Sequence, residues 1–87
     1  MNFAVIWVTD AEAQLAALWV AAADQAAVTR AAHRIERQLA ADPLAAGEER
    51  PPNRRLLFDP PLGVLYEADR TAREVRVLSV GWSGRPG

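Results

Sequence analysis

The pattern of hydrophobic and polar positions predicts a strand followed by a helix at the start of the chain. The segment "FAVIWV", residues 3 to 8, is β-branched and aromatic and is apolar at both alternating positions. This composition is typical of a short strand that helices cover on at least one side. Thr9 and Glu12 have the spacing of a capping box, so we expect a helix to begin at Thr9. Its predicted apolar stripe, at helical spacing, consists of Leu15, Leu18, Trp19 and Ala22.

A second helix is predicted directly after the first. Asp24 is a suitable N-cap, and Asp42-Pro43 stops the helix, so we expect it to run from about Gln25 to Ala41. Its predicted buried face consists of Val28, Ala31, Ala32, Ile35 and Leu39. The two helices are interpreted as an antiparallel hairpin, with alanines that permit close approach.

The second half of the chain has the pattern of a small sheet. A loop is predicted for residues 43 to 53, because "PLAAGEERPPN" has no period and is rich in turn formers. Three strands follow, at residues 54–58, 62–68 and 74–80, separated by "DPP" and "DRTAR". Pro60 and Pro61 cannot donate hydrogen bonds within a strand, which predicts a hairpin around them. The tail "GWSGRPG" is predicted to fray.

The predicted order of elements is β-α-α-β-β-β, an α+β fold with a helical hairpin packed on a small antiparallel sheet. The 87 residues are enough for one domain with one modest core, so residues 1–87 are interpreted as a single domain.

The distribution of charge along the chain says more about possible partners than the net charge does. The formal net charge is −1, and every basic residue apart from the single histidine is an arginine. Residues 1 to 49 hold three arginines and seven acids, a net charge of −4, whereas residues 50 to 87 hold seven arginines and four acids, a net charge of +3. An anionic partner is therefore expected to contact the C-terminal half.

Composition argues against several classes of site. The chain has no cysteine and one histidine, so neither a disulfide framework nor a zinc site is expected, and no metal or other cofactor is predicted. The N-terminus lacks the basic region of a signal peptide, and the uncharged run from residue 13 to 23 is too short to span a bilayer. We therefore expect a cytoplasmic protein without a membrane partner.

The order and spacing of several segments resemble the RelE/ParE toxins of bacterial type II toxin–antitoxin modules. The segments are "VIWVTDAEAQLAALW", "IERQLAADPLAAGEER", "RRLL", "PLGVLYEAD" and "REVRVLSV", which together cover nearly the whole chain. The resemblance implies a helical hairpin on an antiparallel sheet, a cognate antitoxin as partner, and a target in translation or DNA topology. Growth inhibition and plasmid stabilisation are the cellular roles that it implies.

The resemblance also implies two different modes of action. The ribonuclease branch, which cuts messenger RNA on the ribosome, looks to place basic residues on strand 2, an arginine on strand 3, another after strand 4, and often a C-terminal tyrosine. Arg54 and Arg55 match strand 2, but the next two positions fall on Gly63 and Ser83, and no tyrosine follows strand 4. Arg85 is the remaining candidate for the missing cation. The departure favours the gyrase-directed ParE branch, which lacks this catalytic set.

Each candidate residue also has a purely structural interpretation. Arg54 and Arg55 alternate sides of a strand, so at most one of them faces a given partner, and either can simply protect an edge. Tyr66 is expected to be largely buried with a hydrogen-bonded hydroxyl. Arg76 is either a cross-strand partner of Glu67 or a phosphate contact. Arg55 and Arg76 can hold a phosphate together if strand pairing brings them onto one face.

The remaining aromatic and basic residues have different expected roles. Trp7 and Trp19 are predicted to belong to the core, whereas Trp82, beyond the last predicted strand, is a candidate for partner binding. His33 lies in a basic stripe of the second helix that is predicted to be solvated, together with Arg30, Arg34 and Arg37.

The resemblance implies three alternative functions. The first is a toxin that binds DNA gyrase and is neutralised by an antitoxin. The alternatives are a ribosome-dependent endoribonuclease of messenger RNA, and an inactivated family member that only binds antitoxin. Whether the protein is an enzyme stays open at this point. The candidate residues for target or RNA binding are Arg54, Arg55, Tyr66, Arg76 and Arg85.

Overall fold

The computed structural model describes residues 2–83, which form three helices and five strands. The helices are α1 (Thr9–Ala21), α2 (Gln25–Ala41) and α3 (Pro43–Ala46). The strands are β1 (Ala4–Trp7), β2 (Glu48–Arg50), β3 (Arg54–Asp59), β4 (Leu62–Asp69) and β5 (Glu74–Trp82). Both long helices and the four predicted strands lie where the sequence places them, and β5 extends two residues further.

The strands form one sheet in the order β1-β5-β4-β3-β2. All neighbouring pairs are antiparallel except β1 and β5, which are parallel. The predicted α+β fold with a helical hairpin on a small sheet is confirmed. The pairing of β1 with β5 is the one parallel exception in the described sheet, because α1 and α2 carry the chain away from β1 and β5 then pairs beside it in the same direction.

The core lies between the helices and one side of the sheet, which we call the inner face. The five predicted residues of α2 are all buried, and they belong to one core cluster with inner-face residues of β3, β4 and β5. The buried sheet residues are Leu57, Leu62, Val64, Tyr66, Val75, Val77 and Val80. The helices thus cover the inner face, and no helix of residues 2–83 lies on the opposite side, which we call the outer face.

The first helix is less buried than its pattern predicts. Leu15, Leu18 and Ala22 pack against the core as expected, and Ala11 is fully buried. Trp19, predicted to be core, is instead 42% exposed. The helix is apolar on nearly every side, so its sequence does not single out which face turns inward.

The capping box is also absent at the start of α1. Val8 occupies the N-cap position, and no side chain caps this end. The Val8 N–H donates to the carbonyl of Val77 at 3.1 Å, which continues the pairing of β1 up to the helix. Thr9 is consequently already the first helical residue and cannot act as the cap.

The predicted loop between residues 43 and 53 contains α3 and β2. Asp42 connects the two helices, because its backbone N–H donates to the Gln38 carbonyl and its side chain accepts from the Ala45 N–H. Pro43 follows at the first helical position, where its missing N–H costs nothing. β2 is three exposed residues long and pairs with β3 at the edge of the sheet.

The β3–β4 hairpin is confirmed, and α2 holds its turn in place. Arg34 donates from Nη2 to Asp59 Oδ1 at 2.8 Å and from Nε to both carboxylate oxygens at 3.1 Å. Gln38 Nε2 donates to Asp59 Oδ2 at 3.0 Å. The hydrogen bonds to Asp59 raise the pKa of Arg34 above its ordinary value. Arg34 is therefore not part of a wholly solvated stripe, whereas Arg30, His33 and Arg37 are exposed as predicted.

No helix within residues 2–83 is both long and apolar enough to cross a membrane.

Candidate functional site: the outer face of the sheet

The outer face combines apolar and charged side chains on a surface that the helices leave uncovered. Alternation along each strand places every second residue there, opposite the buried inner-face positions. Its central members are Arg54, Leu56, Phe58, Gly63, Leu65, Glu67, Arg76 and Gly81. This arrangement offers a partner both hydrophobic contact and hydrogen-bond donors.

An apolar strip occupies one end of the outer face. Leu56 pairs with Leu65, and Phe58 pairs with Gly63, which in turn pairs with Gly81. The Phe58 ring lies directly over Gly63, since a Cβ built there would be 2.8 Å from Phe58 Cδ1. Phe58 is nevertheless 52% exposed. Gly63 is the position that the resemblance aligns with a strand 3 arginine, and here it supports an exposed aromatic ring instead.

A charged row crosses the sheet beside this strip. Glu67 on β4 pairs with Arg76 on β5, and continuing the β3–β4 register by one residue places Arg54 on the other side of Glu67. None of the three makes an ion pair or a side-chain hydrogen bond within residues 2–83. Glu67 and Arg76 are thus cross-strand neighbours, but they form no salt bridge within residues 2–83, and the alternative of a phosphate contact for Arg76 stays a prediction. Arg54 and Arg76 lie two strands apart, a separation of about 10 Å between their backbones.

Tyr66 and Arg55 lie on the inner face, away from this row. Tyr66 is fully buried, and its hydroxyl donates to the Pro43 carbonyl at 2.6 Å. Arg55 pairs with Tyr66 across β3 and β4 and donates from Nη2 to the Gly47 carbonyl at 2.6 Å. The prediction of a buried tyrosine with a bonded hydroxyl is confirmed. Both side chains hold the segment containing α3 and β2 against the sheet.

This inner contact leaves no room for a larger residue at position 47. A Cβ added to Gly47 would lie 2.6 Å from the Leu56 carbonyl oxygen and 2.7 Å from the Tyr66 hydroxyl. Burial raises the pKa of Tyr66 above its ordinary value, while the neighbouring Arg55 guanidinium opposes that change. Tyr66 therefore stays protonated at neutral pH and acts as a structural hydrogen-bond donor.

Arg55 and Arg76 do not share a face, so the condition for the two to hold a phosphate together is not met. Arg55 pairs with Tyr66, which pairs with buried Val77, whereas Arg76 alternates with Val77 and points outward. The sequence contained a signal for this, because Arg55 lies two residues before Leu57 and must share its face in a strand. Arg54 is the arginine of β3 that joins Arg76 on the outer face.

The last two candidates lie at the end of β5. Trp82 belongs to that strand rather than to a frayed tail, and Ser83 N–H donates to the Pro61 carbonyl at 2.9 Å. The Trp82 side chain, 49% exposed, adjoins Pro60, Pro61 and the turn between α1 and α2. It is thus accessible to a partner but sits apart from the outer-face charged row. Arg85 lies outside the described residues.

Comparisons with known proteins identify the fold. No protein-family model and no curated protein sequence matches the chain. A chain of the toxin–antitoxin complex RelBE2 from Mycobacterium tuberculosis has a similar structure, with a TM-score of 0.78 and 20% identity over 94% of this chain and 99% of that one. A chain of the chromosomal ParDE TA system from P. aeruginosa superposes with a TM-score of 0.64 and 18% identity, over 95% of this chain and 98% of that one. This chain has the RelE/ParE fold.

A third similar structure covers only part of a larger protein. TrmO from Pseudomonas aeruginosa has a TM-score of 0.62 and 28% identity, over 92% of this chain but 35% of that chain. The two RelE/ParE-type chains, in contrast, match almost from end to end. The fold therefore corresponds to a whole chain in those structures.

Several outer-face residues were assigned no binding role from the sequence. Glu67 was considered only as a salt-bridge partner, and Leu56, Phe58 and Leu65 were assigned no binding role. The sequence did contain a signal for these residues. They alternate along the strands with the buried Leu57, Val64 and Tyr66, which assigns them to the uncovered outer face. Within residues 2–83 there is no cluster of histidine and acidic side chains able to hold a metal ion. The outer face carries arginines, an apolar strip and four carboxylates, those of Glu48, Glu67, Asp69 and Glu74.

Proposed function

We propose that this protein is the toxin of a type II toxin–antitoxin pair and acts by binding a macromolecular target through the outer face of its sheet. The observation that carries the proposal is the uncovered charged row of the RelE/ParE fold, in which Arg54 and Arg76 lack intramolecular partners within residues 2–83. A guanidinium without an internal partner is available to bind a carboxylate or phosphate of the target.

The apolar strip supports a protein as the target. Aromatic residues and arginine are enriched in protein interfaces relative to the rest of the surface. Phe58 is an exposed aromatic residue with the half-buried Leu56 and Leu65 beside it, and the charged row next to this strip supplies Arg54 and Arg76. Binding to DNA gyrase, the ParE mode, is the form of the proposal that fits this composition best.

The positions of the other candidates favour binding over RNA cleavage. Cleavage through a ribose 2′-hydroxyl needs a base, cations at the phosphorane and an acid for the leaving oxygen. Tyr66 and Arg55 lie on the inner face, and Gly63 stands in place of the strand 3 arginine. Arg54 and Arg76 lie about 10 Å apart at their backbones, so a phosphate bound near either one would have few of these catalytic groups within reach.

A ribosome-dependent endoribonuclease is the second candidate, and one observation favours it. Glu67 lies between Arg54 and Arg76 in the register, where its carboxylate can act as a general base beside two cations. A Glu67→Gln variant keeps the size of the side chain and removes the base. Loss of messenger RNA cleavage in that variant, with binding retained, would support the enzyme.

The proposed antitoxin is a short protein with an amphipathic segment that covers part of this surface. Binding of that kind combines apolar burial with attraction to arginines, so its affinity should fall as salt increases. The gene is expected beside the toxin gene. Coexpression should abolish toxicity if the pair is cognate.

Induced expression in bacteria tests the proposal and separates its forms. The gyrase-directed toxin should arrest growth with an abnormal nucleoid while protein synthesis continues at first. Early arrest of translation, together with cleavage of messenger RNA on purified programmed ribosomes, would instead establish the endoribonuclease. Unimpaired growth would contradict both and would favour a protein that only binds antitoxin.

A further inference from the structure

Gly81, near the end of β5, is a glycine that the structure of residues 2–83 does not require. No glycine in that range has a positive φ, so the backbone of Gly81 suits any residue. A Cβ built on Gly81 would meet no atom within 4 Å, whereas one on Gly47 would lie 2.6 Å from the Leu56 carbonyl oxygen. The irregularity between β4 and β5 lies at Leu65 and Tyr66, so Gly81 does not form a bulge. A glycine in a strand lowers stability, and it often marks a place where another molecule approaches the backbone closely.

The space over Gly81 is open and borders an aromatic ring. Phe58, Gly63 and Gly81 form one row across β3, β4 and β5 on the outer face. The Phe58 ring covers Gly63, where a Cβ would be 2.8 Å from Phe58 Cδ1, but it leaves Gly81 uncovered. β1 pairs with β5 only as far as Val77, so no strand of residues 2–83 flanks Gly81 on its other side. We call this open space, with Gly81 as its floor and the Phe58 ring beside it, the glycine seat.

The charged row of the outer face lies at a distance from the glycine seat. Arg76 precedes Gly81 by five residues on β5, and Arg54 precedes Phe58 by four residues on β3. At about 3.3 Å per residue, both arginine backbones are roughly 13 Å or more away along the strands. Glu67 lies between these two arginines in the register. The seat therefore favours an uncharged group.

A side chain of a protein fits the seat better than a nucleobase does. Sites for single-stranded nucleic acid combine stacking with basic groups that follow the phosphate backbone. Within residues 2–83, no arginine adjoins the seat on the outer face, so a stacked base would have no cation beside its phosphate. Aromatic side chains, in contrast, are enriched in protein interfaces and need no charged partner.

We propose that the glycine seat receives an aromatic side chain of the target protein, which makes Gly81 a specificity-determining position of the outer face. A planar ring can lie flat on the backbone of a glycine because no Cβ intervenes. The ring then meets Phe58 in one of the offset or edge-to-face arrangements that aromatic pairs prefer. The inference rests on the proposed function, since it assigns the ring to the target.

Two uncharged probes, N-acetyl-phenylalanine methylamide and N-acetyl-leucine methylamide, test the seat in the purified protein by nuclear magnetic resonance. The phenylalanine probe should shift the amide signals of Gly63 and Gly81 saturably. The leucine probe should bind about two- to tenfold more weakly, because it cannot form the aromatic pair with Phe58. Phe58→Leu should remove this preference. Adenosine monophosphate, the third probe, should bind more weakly than the phenylalanine probe.

Substitutions at Gly81 should block the seat without disturbing the fold. Gly81→Val should abolish the saturable shift, because its side chain occupies the space of the ring. Gly81→Ala should weaken binding without lowering the melting temperature, since its Cβ would meet no atom within 4 Å. Ala4→Val is the matched control, because Ala4 is exposed on the outer face at β1 and pairs with Glu74, away from the seat. This control should bind the phenylalanine probe as the wild-type protein does.

Several results would overturn the proposal. Equal binding of the phenylalanine and leucine probes, no saturable shift, or unchanged binding by Gly81→Val would each do so. A lower melting temperature of Gly81→Ala would show that the fold itself requires the glycine. Tighter binding of adenosine monophosphate would assign the seat to a nucleic acid, and binding that requires removal of residues 84–87 would assign it to that segment of the chain.

Growth after induced expression separates this inference from the proposed function. If the wild-type protein arrests growth, Ala4→Val should do so as well and Gly81→Val should not. Arrest by Gly81→Val equal to that of the wild type would overturn the role of the seat and leave the toxin proposal in place. Unimpaired growth with the wild-type protein would contradict the toxin proposal, and the titration would still decide whether the seat binds an aromatic ring.

Discussion

Tyr66 shows how a single buried hydroxyl holds an otherwise weak segment. It donates to the Pro43 carbonyl, and Arg55 beside it donates to the Gly47 carbonyl. Both bonds attach the segment with α3 and β2 to the sheet, although β2 itself contributes only three exposed residues. A residue proposed from sequence for target binding therefore has a structural role.

Replacing Tyr66 with phenylalanine should lower the free energy of unfolding by about 1 to 2 kcal/mol, because the Pro43 carbonyl loses its buried donor. Urea denaturation of both proteins measures the difference. The smaller side chain keeps the ring, so the slope of the transition should not change. Equal midpoints for the two proteins would show that the hydroxyl contributes nothing to stability.

The raised pKa of Tyr66 predicts a loss of stability at alkaline pH. The folded protein holds the proton more tightly than the unfolded chain, so this contribution is complete below the ordinary tyrosine pKa of about 10 and is lost as pH rises through the folded-state value. Tyr66 is the only tyrosine, so the ultraviolet absorbance of tyrosinate reports it alone. Ionisation at or below the value for a free tyrosine would contradict the prediction.

Trp82 remains a predicted partner contact at the end of β5. Its half-exposed ring can be buried by an antitoxin at little cost to the folded protein. Trp82→Ala should weaken antitoxin binding by on the order of 1 to 3 kcal/mol. An affinity unchanged by calorimetry would remove Trp82 from the interface.

At the scale of the elements, the contact between α2 and the β3–β4 turn fixes how the hairpin meets the helices. Asp59 receives hydrogen bonds from Arg34 and Gln38, and Arg34 Nη2 also donates to the Pro60 carbonyl at 3.2 Å. Arg34→Ala should therefore speed hydrogen exchange at the amides of Asp59, Leu62 and Gly63 and lower the melting temperature. Arg30→Ala, one turn earlier on α2 and exposed, is the control and should change neither. Identical exchange in the two variants would show that the turn holds its place without Arg34.

The helices and strands also show which structural features the sequence predicts and which it does not. The periodic segments, such as the buried stripe of Val28, Ile35 and Leu39, are predictable because one face alternates sharply with a charged one. β2 has no apolar alternation that would predict a strand, and it forms because its backbone pairs with β3 at the edge of the sheet. α3 did carry a signal, since Asp42 followed by Pro43 is a typical helix start. The outward position of Trp19 was not predictable, because α1 is apolar on nearly every side.

At the scale of the whole molecule, the sheet separates two chemically different surfaces. The outer face carries Arg54 and Arg76 with an apolar strip, and an apolar groove between α1 and α2 is lined by Glu12, Glu36 and Trp19. The sequence predicts the charge difference between the two halves of the chain, and alternation along β3 and β4 predicts which of their residues share a face. It does not predict which residues of neighbouring strands lie side by side, because that depends on strand register, including the irregularity at Leu65 and Tyr66 that shifts β4 against β5.

The central claim is that the outer face binds the target of a toxin, and growth after induced expression measures it most directly. The double variant Arg54→Ala and Arg76→Ala should leave the melting temperature unchanged, because neither side chain has a partner within residues 2–83. We predict that the wild-type protein and the Arg30→Ala control arrest growth, whereas the double variant, present at the same level, does not. Growth arrest by the double variant equal to that of the wild type would contradict the claim.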